Sequence, residues 1–356
     1  MTSLPLPPRQ TGMTTEIDGF PVVLHFGDVP SEYASLRSGA VLVDRGHRRR
    51  TRVSGPKALE VVTGLVTNDV AVLVPGQGCY AAALTAKGKI VADVRVLAED
   101  GSLLIDAPTR AGAGWTEMLR KFVNPRLAPW RDESLELSTI GVYGAQARRI
   151  ASAVSGIAPA TLAALAPYGH IAAEIEGERV LVVRSPDLGL EGYDFFVPAD
   201  ARDAAWRSLA DAGATPTGLA VWEIARVEAG RPEWGLDIDE TTLAQEANMD
   251  ELHAISYTKG CYVGQETVAR VHFRGHVNRH LRGLRFPAGE PLPYKASLVD
   301  ESGKPVGDLR SSAISPRLGG VGIGMVRREI EPGATVAAHW EGGDSRVEIV
   351  ALPFPL

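Results

Sequence analysis

The chain has 356 residues, of which 45% are apolar and 22% charged, and its formal net charge is −6. That length exceeds one ordinary compact core and implies two or three domains of a folded, water-soluble protein. No run approaches the roughly 18 apolar residues of a membrane span, and the acidic balance disfavours indiscriminate nucleic-acid binding.

Residues 1–15 carry prolines where a signal peptide needs an apolar core, so they read as a disordered tail on a cytoplasmic protein. After them, residues 41–45 and 50–55 read as short strands. "GPKALEVVTGLVTNDV" follows as a helix, with Ser54 as its cap and Leu59, Val62 and Val66 on its apolar face. Strands punctuated by Lys-Gly and Asp-Gly turns fill residues 78–108. A helix in "TRAGAGWTEMLRKFV" then sets Trp115, Leu119 and Phe122 on one face.

The second half repeats that order loosely: strand, turn and strand in "ERVLVVRSPDLGLEGYDFFVP", a helix ending on Gly213, and a helix over residues 218–229 that stops at Gly230. Beyond Leu281 short apolar segments alternate with Gly, Pro and Asp turns, the texture of a small antiparallel barrel or sandwich. The pattern implies an α+β chain: a tail over 1–15, a first lobe over 16–140, a second over 141–280 and a β-domain over 281–356. The two lobes are open to interleaving.

Four stretches are candidates for chemistry. "GGVGIGM" (319–325) lacks the βαβ setting of a dinucleotide fingerprint and carries no phosphate role. On "GKIVADVRVL", Val91, Asp93, Arg95 and Leu97 share one face of a strand covered on both sides. Asp93 is therefore either a partner for Arg95 or another base, or an acid held in a pocket with a raised pKa. "GLEGYDFF" sets Glu191 and Asp194 around a Gly-Tyr turn, as solvated acids or as acceptors for the adjacent N–H donors of a heterocycle. Arginines gather at 45–52 and at 270–285, where Arg270, His272 and Arg274 would share one side of a strand.

The fourth stretch is "KGCYVGQE", residues 259–266. Lys259 two residues before Cys261 favours the thiolate, whereas a small cysteine in a tight turn with a Lys259–Glu266 pair is the plain alternative. The other cysteine, Cys79, stands 182 positions earlier and reads as a small buried residue. With no CxxC pairing, neither a disulfide framework nor a metal site is implied.

"KGCYVGQE" and the arginines after it resemble the signature of the YgfZ proteins, folate-binding relatives of the glycine-cleavage T-protein (GcvT, aminomethyltransferase). The resemblance covers roughly residues 20–330. "LVTNDV…GQGCYAAALTAKGKIVADVRV" is similar to the T-protein pattern up to its active-site aspartate, "GLEGYDFFVP" to its pterin loop, and "GLAVWEIARVEAG" to its Arg-x-Glu-x-Gly helix.

The resemblance implies a GcvT-like three-part cloverleaf of two α+β lobes and a C-terminal β-barrel around tetrahydrofolate. It implies Asp93 and Cys261 as the reactive groups. It implies Asp194, with Glu191 as substitute, Lys259, Tyr262, Arg270 and Arg226 as folate-binding residues. Ala92 stands where the T-protein strand carries a second aspartate, and Asp194 where its pterin loop carries glutamate. For function it implies support of iron–sulfur cluster assembly or repair, and through it of tRNA-modifying enzymes, with iron–sulfur proteins or their assembly machinery as partners. A folate-dependent aminomethyl or one-carbon transferase using Asp93 is the alternative, and an RNA-binding module the weaker one.

Overall fold

The computed structural model describes residues 12–355. Met13–Ile17 pairs with Phe20–His25 in a two-stranded hairpin, so residues 13–15 of the expected tail are strand; residues 1–11 lie outside the described part. Three larger sheets follow.

The first sheet has five strands in the order Gly78–Leu84, Ile90–Glu99, Ser102–Ala107, Arg49–Ser54 and Trp130–Asp132, antiparallel throughout. Helices Ala58–Thr63 and Gly112–Phe122 cover one face of it, burying Val62, Trp115, Met118 and Leu119 against Ala92, Val94 and Val96. Two expectations for these helices fail. The first helix begins after Lys57 with no side-chain cap, so Ser54 ends a strand instead. Leu59 and Phe122 are exposed, and Met118 closes the core face that Phe122 was expected to complete.

The second sheet has six strands in the order His170–Ile175, Glu178–Arg184, Gly192–Pro198, Leu137–Tyr143, Val41–Asp44 and Thr215–Thr217, with only the last pair parallel. Helices Ala147–Ser155 and Arg202–Asp211 pack on its outer face. Val41–Asp44 and Arg49–Ser54, separated by the short loop that holds Arg45 and Arg48, thus go to different sheets. The chain crosses between lobes at that loop.

From Arg279 onward six strands close an antiparallel barrel. "GGVGIGM" is part of its strand Gly319–Arg327, in keeping with the absence of a phosphate loop. Residues 270–274, where Arg270, His272 and Arg274 were expected along a strand, instead close helix Gln265–Arg274, which begins after Gly264 (φ +86°). Arg270 and Arg274, four residues apart, therefore share a helix face that His272 leaves.

One apolar cluster belongs to all three parts. It joins Tyr80 and Leu97 of the first sheet, Tyr143 and Phe196 of the second, Trp222 of helix Leu219–Glu228, and Leu281 and Met325 of the barrel. Among the described residues no helix is long and apolar enough to cross a membrane.

The signature loop is seated on the first lobe by backbone proximity. Val263 N–H donates to Gly64 O, and a Cβ on Gly264 would meet Thr85 O at 2.5 Å. Gly264→Ala combines that clash with a left-handed φ, and a destabilisation of about 2 kcal/mol or more is expected. Urea unfolding would measure it, and a loss below 0.5 kcal/mol would show the loop to be loosely seated.

Candidate functional site

Asp93 and Arg95 do share a face of strand Ile90–Glu99, but they are not partners. Tyr80, on the neighbouring strand, donates its hydroxyl to Asp93 Oδ2 at 2.9 Å. The other oxygen, Oδ1, is buried without a hydrogen-bond partner. Burial pushes the Asp93 carboxyl above its usual range, opposed by Arg48, the Tyr80 bond and Arg231. The result is a buried acid with one oxygen oriented and the other unpartnered.

Arg95 instead ties the sheets together. Its guanidinium meets Asp106 at 2.8 Å on the adjacent strand, Asp187 at 3.5 Å and Asp194 on strand Gly192–Pro198. Asp194 is fully buried within that strand, not solvated at a turn as one sequence reading had it. Its second oxygen accepts from Tyr143. The Tyr143 ring can fold back to reach it because Gly141 and Gly192 lie beneath; a Cβ at either would meet ring atoms at 2.3 Å or 2.2 Å.

Asp106 also accepts from Arg48 at 2.7 Å. Burial would raise the Asp106 pKa, but Arg48 and Arg95 overcome it and hold the group below its usual range. Arg45, Arg48 and Arg50 are all buried. The 45–52 arginine cluster thus lies largely inside the protein, which removes one of the two basic stretches the RNA alternative relied on.

A cavity of about 350 Å³ opens beside this cluster, lined by Asn68, Cys79, Tyr80, Tyr168, Arg231 and His253 among others. Tyr80 and Tyr168 lie nearly parallel with ring centroids 6.2 Å apart. The Arg231 guanidinium sits 3.9 Å from the Tyr80 ring centroid and pairs with Asp187 at 3.1 Å. Two tyrosine faces and a planar cation suit a flat heterocycle. Half-buried Glu233 lies within electrostatic reach of Asp93 and Arg48; burial raises its pKa to about 7, opposed by Arg226 and Arg48 and aided by Glu223 and Asp93.

The remaining sequence candidates lie apart. Glu191 is held by Arg148, 2.9 Å between Nη2 and Oε2, and by the Tyr193 hydroxyl at 2.8 Å. Arg226 is buried and committed to Glu223, Asp237 at 2.7 Å and Ser311 of the barrel at 2.9 Å. It braces the barrel against the lobes. Arg270 is exposed on helix Gln265–Arg274.

Lys259 reaches across to donate to Thr63 O and to Val66 O at 2.6 Å, with its ammonium 4.5 Å from the centre of the Tyr262 ring. It does not pair with Glu266. Burial lowers its pKa to about 8, opposed by Asp69 and Cys79. Its thiol neighbour is thus Cys79 of the cavity wall, whose own pKa burial raises to about 12. Cys261 is an exposed free thiol. Sequence reasoning missed Arg45, Arg48, Asp106, Tyr168, Asp187, Arg231 and Glu233; the buried arginines were visible as a cluster but their burial was not.

The sequence matches the GCVT N-terminal domain over residues 12–256 and the glycine cleavage T-protein C-terminal barrel domain over residues 279–355. The chain belongs to the GcvT family. Among its relatives, the aminomethyltransferase of Saccharopolyspora erythraea is 28% identical over 352 residues, covering 96% of this chain and 93% of that protein. That of Halothermothrix orenii is 27% identical, covering 95% of each. The fold of the glycine cleavage system aminomethyltransferase T from Bartonella henselae superposes with a TM-score of 0.86 at 23% identity, over 98% of this chain and 95% of that one. The GcvT-like fold expected from the sequence is therefore correct, and tetrahydrofolate is the cofactor this family uses. The names of the relatives side with the transferase alternative.

Glu233 gives a pH test. Its folded pKa of about 7 exceeds the unfolded value of 4.5, so the protonated form favours folding and its stabilisation is lost as pH rises between those values. At ~1.4 kcal/mol per unit the loss is at most about 3.5 kcal/mol. Glu233→Gln should flatten the fall in stability between pH 5 and 7.5. An unchanged profile would mean that Glu233 is solvated.

Proposed function

We propose that this protein binds tetrahydrofolate at the Asp93 centre and uses Cys261 to support iron–sulfur proteins, as the YgfZ-like signature implies. One observation carries the folate part: a buried carboxyl with one oxygen held by Tyr80 and the other unpartnered, beside a cavity walled by Tyr80, Tyr168 and Arg231. An orphaned acceptor and aromatic faces fit a reduced pterin, which presents N–H donors on a flat ring. When bound, tetrahydrofolate supplies a carrier for one-carbon units. Asp93 would hold or move a proton at its free oxygen, Tyr80 would fix the other oxygen, and Arg231 would hold the aromatic wall together.

The iron–sulfur part rests on the signature loop. Its thiol is exposed while its lysine is anchored beneath by two carbonyls. An exposed thiol faces partners; it is not enclosed with the ligand. Two distant cysteines do not supply the usual four ligands of a resident cluster. The clients would be cluster-containing enzymes, including those that modify tRNA.

Aminomethyl transfer is the second reading, favoured by the relatives' names and by the raised pKa of Asp93. The two separate by mutation. On the first, Cys261→Ala abolishes complementation of a cluster-maintenance defect while folate affinity measured by calorimetry stays within about threefold. On the second, Asp93→Asn abolishes activity, by roughly 100-fold or more, and Cys261→Ala is tolerated. No heat on mixing tetrahydrofolate with the intact protein would sink both.

A further inference from the structure

Arg45 is a buried cation for which the described residues provide no hydrogen-bond partner. It is 3% exposed, and its Nε and Nη1 are buried without hydrogen bonds. Among the described residues its side chain makes no hydrogen bond or ion pair. It stacks on the Trp222 ring, whose centroid lies 3.5 Å from Cζ, and acts only through space on Asp106 and Asp187, whose carboxyls it helps hold ionised.

The surrounding charges are already committed. Asp106 takes Arg48 and Arg95, Asp187 takes Arg95 and Arg231, Asp194 takes Arg95 and Tyr143, and Asp93 takes Tyr80. Asp44, the residue before Arg45, pairs with Arg202. Arg50 also lacks a carboxylate, but it donates to Gly46 O at 2.9 Å and Ser134 O at 2.8 Å. The positive field is felt by His47, whose pKa burial, Arg45, Arg48 and Arg50 depress well below the usual value.

A buried guanidinium without acceptors is costly unless a ligand completes it. Stacking on Trp222 fixes the plane of the guanidinium and leaves its N–H donors pointing outward within that plane. An in-plane oxygen of a planar ring is the matching acceptor. The Trp222 ring also meets Tyr143 edge-on at 5.3 Å, and Tyr143 holds Asp194, so Arg45 belongs to the same wall as the acid of the pterin-like loop.

We infer that Arg45 is a ligand-binding residue that donates to the ring carbonyl of a bound pterin, opposite in polarity to the free oxygen of Asp93. The inference rests on the folate reading and assigns it a second recognition contact. Arg45 is linked to the Asp93 strand through Trp222, Tyr143, Asp194 and Arg95, and a ring with both N–H donors and a carbonyl would use the orphaned acceptor and the orphaned cation together.

The test is calorimetry with tetrahydrofolate and with 6-methyltetrahydropterin, which has the ring but no glutamate tail, on the full chain and on Arg45→Met and Arg45→Lys. Arg45→Met should weaken both ligands about 10- to 100-fold, with Arg45→Lys recovering part of the loss. Without ligand, Arg45→Met should melt at or above the wild-type temperature, because it removes a buried cation whose Nε and Nη1 make no hydrogen bond. Three outcomes overturn the inference: unchanged affinity for both ligands, weakening of tetrahydrofolate alone (which would place Arg45 on the tail), or a ligand-free Arg45→Met that melts several degrees lower. If the unmutated protein binds neither ligand, the folate reading itself falls first.

Discussion

Everything at the centre of this protein depends on one guanidinium. Arg95 leaves the first sheet and meets Asp106 beside it and Asp187 and Asp194 from the second lobe. All of these groups are buried, so each would be costly alone and the set is stable only complete. Removing one partner would strand a charge in the core, typically at 3–5 kcal/mol. The consequence is a fixed distance between the lobes, and with it a fixed frame for Asp93, two residues along the same strand face. Arg226 does the corresponding task for the barrel through Ser311.

That frame explains why two acids of similar chemistry end in different states. Asp194 has both oxygens engaged by Arg95 and Tyr143, and its role is to hold the lobes and the Tyr143 ring. Asp93 has only a neutral hydroxyl, and burial is left to raise its pKa. The acid that was expected to read a pterin is therefore the more committed of the two, and the one expected to do chemistry keeps an oxygen free. Any ligand contact by Asp194 must add to its existing bonds.

Much of the architecture was legible in the sequence because it follows from local pattern. The covered strand at Asp93 shows in apolar residues on both faces, and the barrel in the change of texture after Leu281. Residues 270–274 were misread because Arg270, His272 and Arg274 alternate with Val271 and Phe273, which fits a strand; of the helix residues only Val268 is buried. The site was half legible. Asp93 could be found on its strand, whereas Arg45, Asp187 and Arg231 reach the centre only by long-range packing. Lys259 was expected to act on Cys261 two residues away, but the loop turns its ammonium to the carbonyls of residues 63 and 66 and towards Cys79.

The central claim is that the Asp93 centre, beside the tyrosine-walled cavity, is where a reduced folate binds. The most direct measurement is a crystal structure of the protein soaked with tetrahydrofolate. The account predicts pterin density within hydrogen-bond reach of Asp93 Oδ1, beside Tyr80. Density elsewhere on the molecule, or an Asp93 carboxyl still without a ligand contact in a saturated crystal, would contradict it.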